Sequence, residues 1–518
     1  MKHNLRLPWL KPLIKTFPNA EVFLVGGMVR DLILKRESKD IDLVVRGVPL
    51  ERLISFLKKH GKVDVVGKTF GVIKFAYKKE PQIDIALPRT EVAGGSGEYR
   101  DVNVNFNFAL PIEDDLSRRD LTINAIALNL IDNTLVDPFG GRADIKSKTI
   151  RAVGKPEIRF QEDYTRLLRA LRFACQLGFT IEPKTARAIK ALLPHLNELN
   201  ALGERKVPYE LIGRELVKSL VSNPVRFMEL WDSFGAFEHV IPELLKMHKC
   251  PQPKNYHAEG DVWKHTVLAL ANLHGKPYQQ FLKKLPPIYQ APKKATPTQY
   301  VAVLLHDVAK PLTIQTPKKD GVDRIRFTGH DTEGAKVART ITNRLRLSSV
   351  EGVNIDSDLL VWLVEHHLLA VQADVLDMKE TTIEKYFLRD LDRGRELLTM
   401  LFGDGSATVP ENSKDKKRHL DDVLLRIKKL LKTRGGRQSL PDPLVNGSDL
   451  IAAFKITPGP RIGELLGIAR EAQLSGKIKT KIQAIAFLKK LIEKKEHGTP
   501  QTCTLASSKR CRVFCCAG

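Results

Sequence analysis

The chain has 518 residues, 42% of them hydrophobic and 28% charged, and a formal net charge of +24. That length rules out a single small domain and leaves room for several, each with its own core. No stretch is apolar and long enough to span a bilayer, and the N-terminus, MKHNLRLPWLKPLIKTF, has no signal-peptide apolar region, so a cytoplasmic protein without a membrane partner is expected. The positive charge suits a polyanion such as RNA, although a generally lysine-rich composition would also produce it. Cys175 and Cys250 stand alone, consistent with a reducing compartment. Cys503, Cys511, Cys515 and Cys516 crowd the end of the chain in a spacing that fits no zinc pattern.

The leading segment reads as a short helix. Residues 21–45, EVFLVGGMVRDLILKRESKDIDLVV, then read as strand, glycine turn, short helix, loop and strand. Gly26 and Gly27 break the first apolar run, and Arg30 and Asp31 fall on the first turn of the helix. Residues two apart on a strand face the same side, so Asp40 and Asp42 converge while Ile41 faces the core. A D-x-D pair alone is often a solvated strand edge. Beside a glycine turn at a helix start, however, two carboxylates suit a two-metal phosphoryl-transfer site. The carboxylates would hold Mg²⁺, and the glycines would let backbone N–H groups approach a triphosphate.

A helix, PLERLISFLKKHG, follows, then strand-like runs KVDVVG, GVIKFAY and QIDIALPRTE. Asp84 points away from its apolar neighbours Ile83 and Ile85; it is either a third carboxylate for the site or a plain edge residue. Arg89 lies at the end of that run. AGGSGEYRDVNVNF is glycine-rich and polar and reads as a mobile loop. IEDDLSRRDLTINAIAL places Arg119 and Asp120 at a helix start, where an aspartate meets the helix dipole favourably. FQEDYTRLLRALRFACQLGF reads as one helix with Asp163, Arg166, Arg169 and Arg172 at every third position, spread over one side. Such a run is often a solvated face. GERKVPYELIGREL carries Arg205.

Further on, His265, the doublet His306-Asp307, His330, the pair His366-His367 and Asp404 occur on helical stretches. Adjacent His and Asp joined by distant His and Asp make a mixed N/O donor set suited to Mg²⁺, Mn²⁺, Ni²⁺ or Fe. The Pro- and Lys-rich stretch between His265 and His306 reads as a loop insertion with one short helix. Residues 411–436 read as a charged linker into an amphipathic helix, followed by further helices and a disordered extension over 497–518.

GG-x-V-R-D followed by D-x-D resembles the DNA polymerase β-type nucleotidyltransferases. More narrowly, LVGG-x-VRD, RRD-x-TINA, ED-x-x-R-x-x-R-x-x-RF and ER-x-x-x-x-EL, in that order, resemble the class II tRNA nucleotidyltransferases (CCA-adding enzymes) and bacterial poly(A) polymerases. NGSDL and PGP-x-IG-x-LL resemble the C-terminal region of that family, and H…HD…H…HH…D resembles the HD phosphohydrolase superfamily. The resemblance spans roughly residues 20–495. It implies an α+β chain: a polymerase β-like head with a mixed sheet (1–150), an all-α neck (151–225), an HD body (226–410) and a helical tRNA-binding tail (411–496).

For the residues, the resemblance implies that Asp40 and Asp42 hold Mg²⁺, with Asp84 completing the site, and that Gly26, Gly27, Arg30, Arg119 and Asp120 contact the nucleotide. The glycine-rich loop would help switch the added base from C to A. Asp163 and Arg166 would template the incoming base, with Arg169 and Arg172 supporting it and Arg205 buttressing their helix through a carboxylate. There is a chemical reason for that pair. Cytosine and adenine both present an amine donor beside a ring-nitrogen acceptor, so a carboxylate plus a guanidinium fits both and rejects uracil and guanine. His265, His306, Asp307, His330, His367 and Asp404 would bind the HD metal. The implied partners are tRNA, CTP and ATP, for a monomer or homodimer that adds C, C and A. Three alternatives stay open: an A-only enzyme, an HD phosphohydrolase with an RNA-binding head, and a non-catalytic RNA-binding protein.

Overall fold

The computed structural model describes residues 6–37, 41–66, 72–78, 80–98, 101–350, 352–372, 375–411, 419–432 and 441–496. Asp40 and the four C-terminal cysteines lie outside the described residues. The chain divides into two compact units, one built from the described parts of 1–285, 290–372 and 395–420, the other from those of 286–289, 373–394 and 421–496. The architecture is α+β: a mixed sheet at the N-terminus and helices thereafter. Among the described residues no helix is long and apolar enough to cross a membrane.

The first unit opens with α1 (Leu10–Thr16) and a sheet of β1 (Glu21–Val25), β2 (Asp42–Arg46), β3 (Lys62–Val66), β4 (Val72–Ala76), β5 (Ile83–Ala86), β8 (Ala127–Asn129) and β9 (Leu135–Val136). Their order is β3-β4-β5-β2-β1-β8-β9. The four consecutive apolar residues of β1 are buried because the strand is central and covered on both faces. Phe23, Val25 and Val44 pack with Ile112 and Leu116 of α4 (Ile112–Ser117). α2 (Gly27–Ile33) and α3 (Leu50–His60) follow β1 and β2. The antiparallel register Leu24↔Leu43 brings the start of β2 beside the end of β1, and β5 runs parallel to β2 with Asp84 opposite Asp42. Three strand ends therefore meet at one sheet margin.

Three sequence expectations are corrected here. The stretch after Arg89 is a hairpin, not a loop. β6 (Arg89–Ala93) pairs antiparallel with β7 (Val102–Phe106), because the alternation Val-Asn-Val-Asn-Phe has the period of a strand. Arg119 and Asp120 do not start an α-helix; they follow α4 and precede a single 3₁₀ turn over Thr122–Asn124. The arginine-rich segment is two helices, α5 (Pro156–Gln161) and α6 (Thr165–Leu177). Asp163 sits in the break between them, where its Oδ1 accepts from the Thr165 N–H at 2.8 Å, so it belongs to the turn before α6 and not to one continuous helix.

The neck continues with α7 (Tyr209–Ser222). The body carries α8 (Val262–Asn272), α9 (Gly275–Lys284), α10 (Pro297–Leu305), α11 (His330–Arg344), α12 (Ser357–His366) and α13 (Leu391–Ala407). In the second unit lie α14 (His419–Lys432) from Asp421 onward, and α15 (Gly447–Phe454), α16 (Pro460–Leu474) and α17 (Lys481–Glu496), the last three packed around Leu450, Leu465, Ala484 and Leu488. The NGSDL stretch is a capping box. Asn446 accepts from the Asp449 N–H and Asp449 from the Asn446 N–H, each at 3.0 Å. Residues 380–388 belong to this unit, where the Arg470 guanidinium donates to Glu384 at 3.0 Å.

Candidate active site and metal centre

The head site forms where the end of β1 meets the starts of β2 and β5. Gly26 leaves β1 at φ +71°, ψ −139°, a conformation that L side chains avoid. A Cβ there would lie 3.0 Å from Arg119 Nη1 and 3.8 Å from Asp42 Oδ2, so the glycine also keeps the space before those groups open. Asp42 is exposed and Asp84 half-buried on the adjacent parallel strand. Register partners of neighbouring strands show their side chains on one face, so the two carboxylates make an oxygen-rich pair that fits a hard divalent cation. Arg119 is aimed by Asp115, which its Nη2 meets at 3.2 Å. Burial pushes the Asp115 carboxyl up, but Arg118 and Arg119 outweigh it and hold it below the usual range.

Behind this margin the expected nucleotide ligands are interlocked. Asp120 is 7% exposed and both its oxygens are occupied, one by Arg169 Nη2 at 2.7 Å and the other by the Leu121 N–H and Asn124. Burial opposes the charge on Asp120, yet Arg169 and Asn124 keep the carboxyl well below its usual range. Arg30 is buried, donates to Asn124 Oδ1 at 2.8 Å and stands 5.0 Å over the Phe173 ring. Arg169 and Arg172 contact the same ring, at 5.7 and 4.0 Å. Asp120, Arg30 and Arg169 thus fasten the head to α6.

Arg166 is also buried. Its Nη1 meets Glu162 at 2.6 Å and its Nη2 lies 3.9 Å from Glu91 of the hairpin. Glu91 in turn binds Arg118 at 2.7 Å and Arg89 at 2.8 Å. The hairpin turn presses on the residue after Asp163: a Cβ on Gly97, at φ +78°, would come 2.1 Å from the Tyr164 ring. The chain Arg119–Asp115–Arg118–Glu91–Arg166 therefore links the Asp42–Asp84 margin, the hairpin and the break before α6.

The second site lies among the body helices. His265 is on α8, His306-Asp307 follow α10, His330 opens α11, His367 follows α12 and Asp404 is on α13. The Nδ1 atoms of His306, His330 and His367 donate to the carbonyls of Val303, Phe327 and Val364 at 2.8, 2.6 and 2.6 Å. A carbonyl only accepts, so the proton sits on Nδ1 and each Nε2 lone pair turns inward. Those three Nε2 atoms are buried without a hydrogen-bond partner, an arrangement that is costly unless something electropositive meets them.

Asp307 stands at the centre. His306 and His265 Nε2 are 3.2 and 3.8 Å from its Oδ2; His330 and His367 Nε2 are 3.4 and 3.7 Å from its Oδ1. The donors fall into two groups that share Asp307, one with His265 and His306 and one with His330 and His367. Burial pushes the Asp307 carboxyl up, but the Lys310 ammonium 2.8 Å away helps hold it well below the usual range. Burial, with His306 and His330 nearby, lowers His367 to about 4, leaving it neutral and able to ligate. The residues fit a divalent metal. All six expected ligands are brought together, Asp404 by its 2.9 Å contact with His265. His366 turns away, stacked on Trp362.

The head region, residues 22–151, matches the model of the poly(A) polymerase head domain. Residues 294–394 match the HD domain, and 425–488 match a putative second domain of tRNA nucleotidyltransferases. An A-adding tRNA nucleotidyltransferase of Deinococcus radiodurans is 30% identical over 384 residues, 74% of this chain and 80% of that protein. A multifunctional CCA protein of Nitrosococcus oceani is 33% identical over 360 residues, 69% of this chain and 76% of that protein. The chain belongs to the tRNA nucleotidyltransferase family. Its fold is that of the CCA-adding enzyme of Bacillus stearothermophilus in complex with CTP, with a TM-score of 0.63 at 21% identity over 95% of this chain and 99% of that one. It is thus a nucleotidyltransferase with an appended HD domain, and domains of both kinds work with divalent metals.

Within this family framework, several structural partners escaped the sequence reading. Arg205 finds no carboxylate among its described partners: it donates to the Leu196 and Val207 carbonyls and to Asn197 and stacks on Tyr209. The carboxylate that holds α6 is Glu215 of α7, 1% exposed, which Arg172 meets at 2.5 Å. Arg172 is thereby a tie between neck helices. Glu215→Ala is expected to destabilise the first unit by about 3–5 kcal/mol, because it strands a largely buried guanidinium. The midpoint of denaturant unfolding checks this; an unchanged midpoint would show that the pair carries no net stability. Glu259, which accepts from His265 Nδ1 at 2.8 Å, and Lys310, 2.8 Å from Asp307, were also missed. Neither lies in the H…HD…D order that drew attention to the site.

Proposed function

We propose that this chain adds C, C and A to the 3′ end of tRNA from CTP and ATP, without a nucleic-acid template, releasing pyrophosphate at each step. The observation that carries this is the alignment of Asp42 with Asp84 beside the Gly26 turn, tied through Glu91 to Arg166. Asp40, Asp42 and Asp84 would hold Mg²⁺, which supplies activation of the 3′-hydroxyl and neutralisation of triphosphate charge. Gly26 and Gly27 let the backbone approach the triphosphate, and Arg119 binds its oxygens. Arg30, Asp120 and Arg169 act at the nucleotide seat by fixing one another and Asn124. Asp163 and Arg166 present the acceptor and donor that C and A share, and Glu91 and Glu162 orient Arg166. The domain boundaries are those given above, the protein works in the cytoplasm, and the helical tail binds tRNA through its phosphates as a monomer or homodimer.

The HD residues His265, His306, Asp307, His330, His367 and Asp404 would hold Mg²⁺, Mn²⁺, Ni²⁺ or Fe and give a second, phosphohydrolase activity on cyclic phosphates or nucleotides. One observation favours a narrower first activity: the Deinococcus relative is an A-adding enzyme. Transcripts ending before CCA, before CA and before A, each given CTP, ATP or both, decide between them. Full CCA on the first supports the proposal. Addition of A alone moves the chain to the A-adding branch.

The hairpin offers a finer test. Gly97→Ala brings a Cβ against Tyr164 and imposes a left-handed conformation on alanine. That strain, about 1–2 kcal/mol, should displace the turn from the template and change the ratio of AMP to CMP incorporation about tenfold. Equal loss of both would show that the hairpin takes no part in choosing the base.

A further inference from the structure

Three of the four histidines around Asp307 are aimed by the backbone. His306 and His367 follow the ends of α10 and α12, where the last carbonyls of a helix have no intrahelical donor, and His330 opens α11 beside the Phe327 carbonyl. His265 lies instead inside α8. There the Asp261 carbonyl already accepts the His265 N–H at 3.1 Å, and the Val262 carbonyl accepts the Thr266 hydroxyl at 3.0 Å. A carboxylate takes the place of the carbonyl: Glu259 Oε1 accepts from His265 Nδ1 at 2.8 Å.

Glu259 is itself fixed. Its side chain is 2% exposed, and the same Oε1 also accepts from His257 Nδ1 at 2.7 Å. Its Oε2 accepts from the Val409 N–H at 3.0 Å, while the Val409 carbonyl accepts from the Ala258 N–H at 2.7 Å. Val409 lies just beyond α13, the helix of Asp404. Glu259 therefore ties His265 on α8 to the end of the helix whose Asp404 meets His265 Nε2 at 2.9 Å. His257, Glu259 and His265 stand close enough together to hold a cation of their own. An ionised carboxylate only accepts, however, so two N–H groups at hydrogen-bond length on one oxygen leave a cation no seat there.

We infer that Glu259 is the positioning residue of the HD metal centre. Through His265 Nδ1 it fixes the ring and its tautomer, so that Nε2 is presented to the cation beside Asp307 and Asp404. A carboxylate partner also makes an imidazole a better donor than a carbonyl partner does. The inference rests on the assignment of a metal to this site.

The test is calorimetry with Ni²⁺ on the full chain, because Ni²⁺ prefers imidazole to the carboxylates of the head, with Asp307→Asn as the blank. Glu259→Ala is expected to weaken Ni²⁺ binding about 10–100-fold at unchanged stoichiometry. Glu259→Gln keeps the volume and removes the charge, so its affinity should fall between the two; it also serves where alanine unfolds the body. The same Glu259→Ala change in a His265→Ala chain should cost less than about twofold, because Glu259 acts through that ring. His306, His330, His367 and Asp307 keep that chain able to bind Ni²⁺, and a merely structural role would not be silenced in it. An equal loss in both backgrounds, a stoichiometry lowered by one, or affinities of both Glu259 variants within about twofold of the unaltered chain overturns the inference. If the unaltered chain takes up no more Ni²⁺ than Asp307→Asn, the metal assignment itself fails, which is a different result.

Discussion

Asp42→Ala is expected to lower nucleotide incorporation into a tRNA transcript lacking its 3′ end by about 10³-fold or more, with tRNA affinity and unfolding midpoint unchanged. The size follows from the chemistry. A carboxylate that helps hold a catalytic cation is worth several kcal/mol of transition-state stabilisation, and each 1.36 kcal/mol is about tenfold in rate. The selectivity follows from position. Asp42 is exposed at the first residue of β2, so alanine removes no core packing and leaves no cavity. Asp84→Ala should reproduce the loss in milder form, because Asp84 is the register partner on the next strand. Single-turnover incorporation with CTP and then ATP is the measurement. If Asp42→Ala retained more than a tenth of the rate, the carboxylate pair would not be the metal site. Asp84 would then be the plain edge residue that the sequence also allowed.

What the sequence made legible was whatever depends on short-range order. The Gly26 turn, the helix after it and the second strand follow from local periodicity, and the structure keeps all three. The HD donors were legible too, because they recur on or just after successive helices and the doublet is unmistakable. What escaped depends on partners far along the chain. Asp120 reads as a ligand until Arg169, 49 residues later, occupies it. Arg172 reads as part of a binding face until Glu215, 43 residues on, claims it. The hairpin was hidden by its own turn: the glycines of 94–97 drew the whole stretch into a loop reading and masked the alternation in Val102–Phe106. The break at Asp163 was hidden because the arginine spacing runs smoothly through it while the backbone does not.

Asp307 carries the other large expected effect, and it separates the two halves of the molecule. Asp307→Ala should abolish metal binding to the body and any phosphohydrolase activity while leaving nucleotide addition by the head within about twofold of normal. Asp307 is 1% exposed and is approached by four imidazole nitrogens and by Lys310. Without its charge, both donor groups lose their shared oxygen ligands, and Lys310, itself 7% exposed, keeps a buried charge met by the neutral Gln252 and the Phe327 ring. Breaking a buried pair in this way costs about 3–5 kcal/mol. The body should therefore unfold at lower denaturant, and added metal should no longer raise its stability, since a ligand stabilises only the state that binds it. Asp307→Asn keeps the volume and isolates the charge: metal uptake falls with less damage to folding. Metal content after dialysis, the metal-induced shift of the unfolding midpoint and incorporation assays on one preparation give the readouts. Metal retained at full stoichiometry in both variants would sink the assignment. Loss of nucleotide addition together with the metal, in a protein that remains folded, would mean that the two sites do not act independently, and the HD body would have to be counted part of the transferase itself.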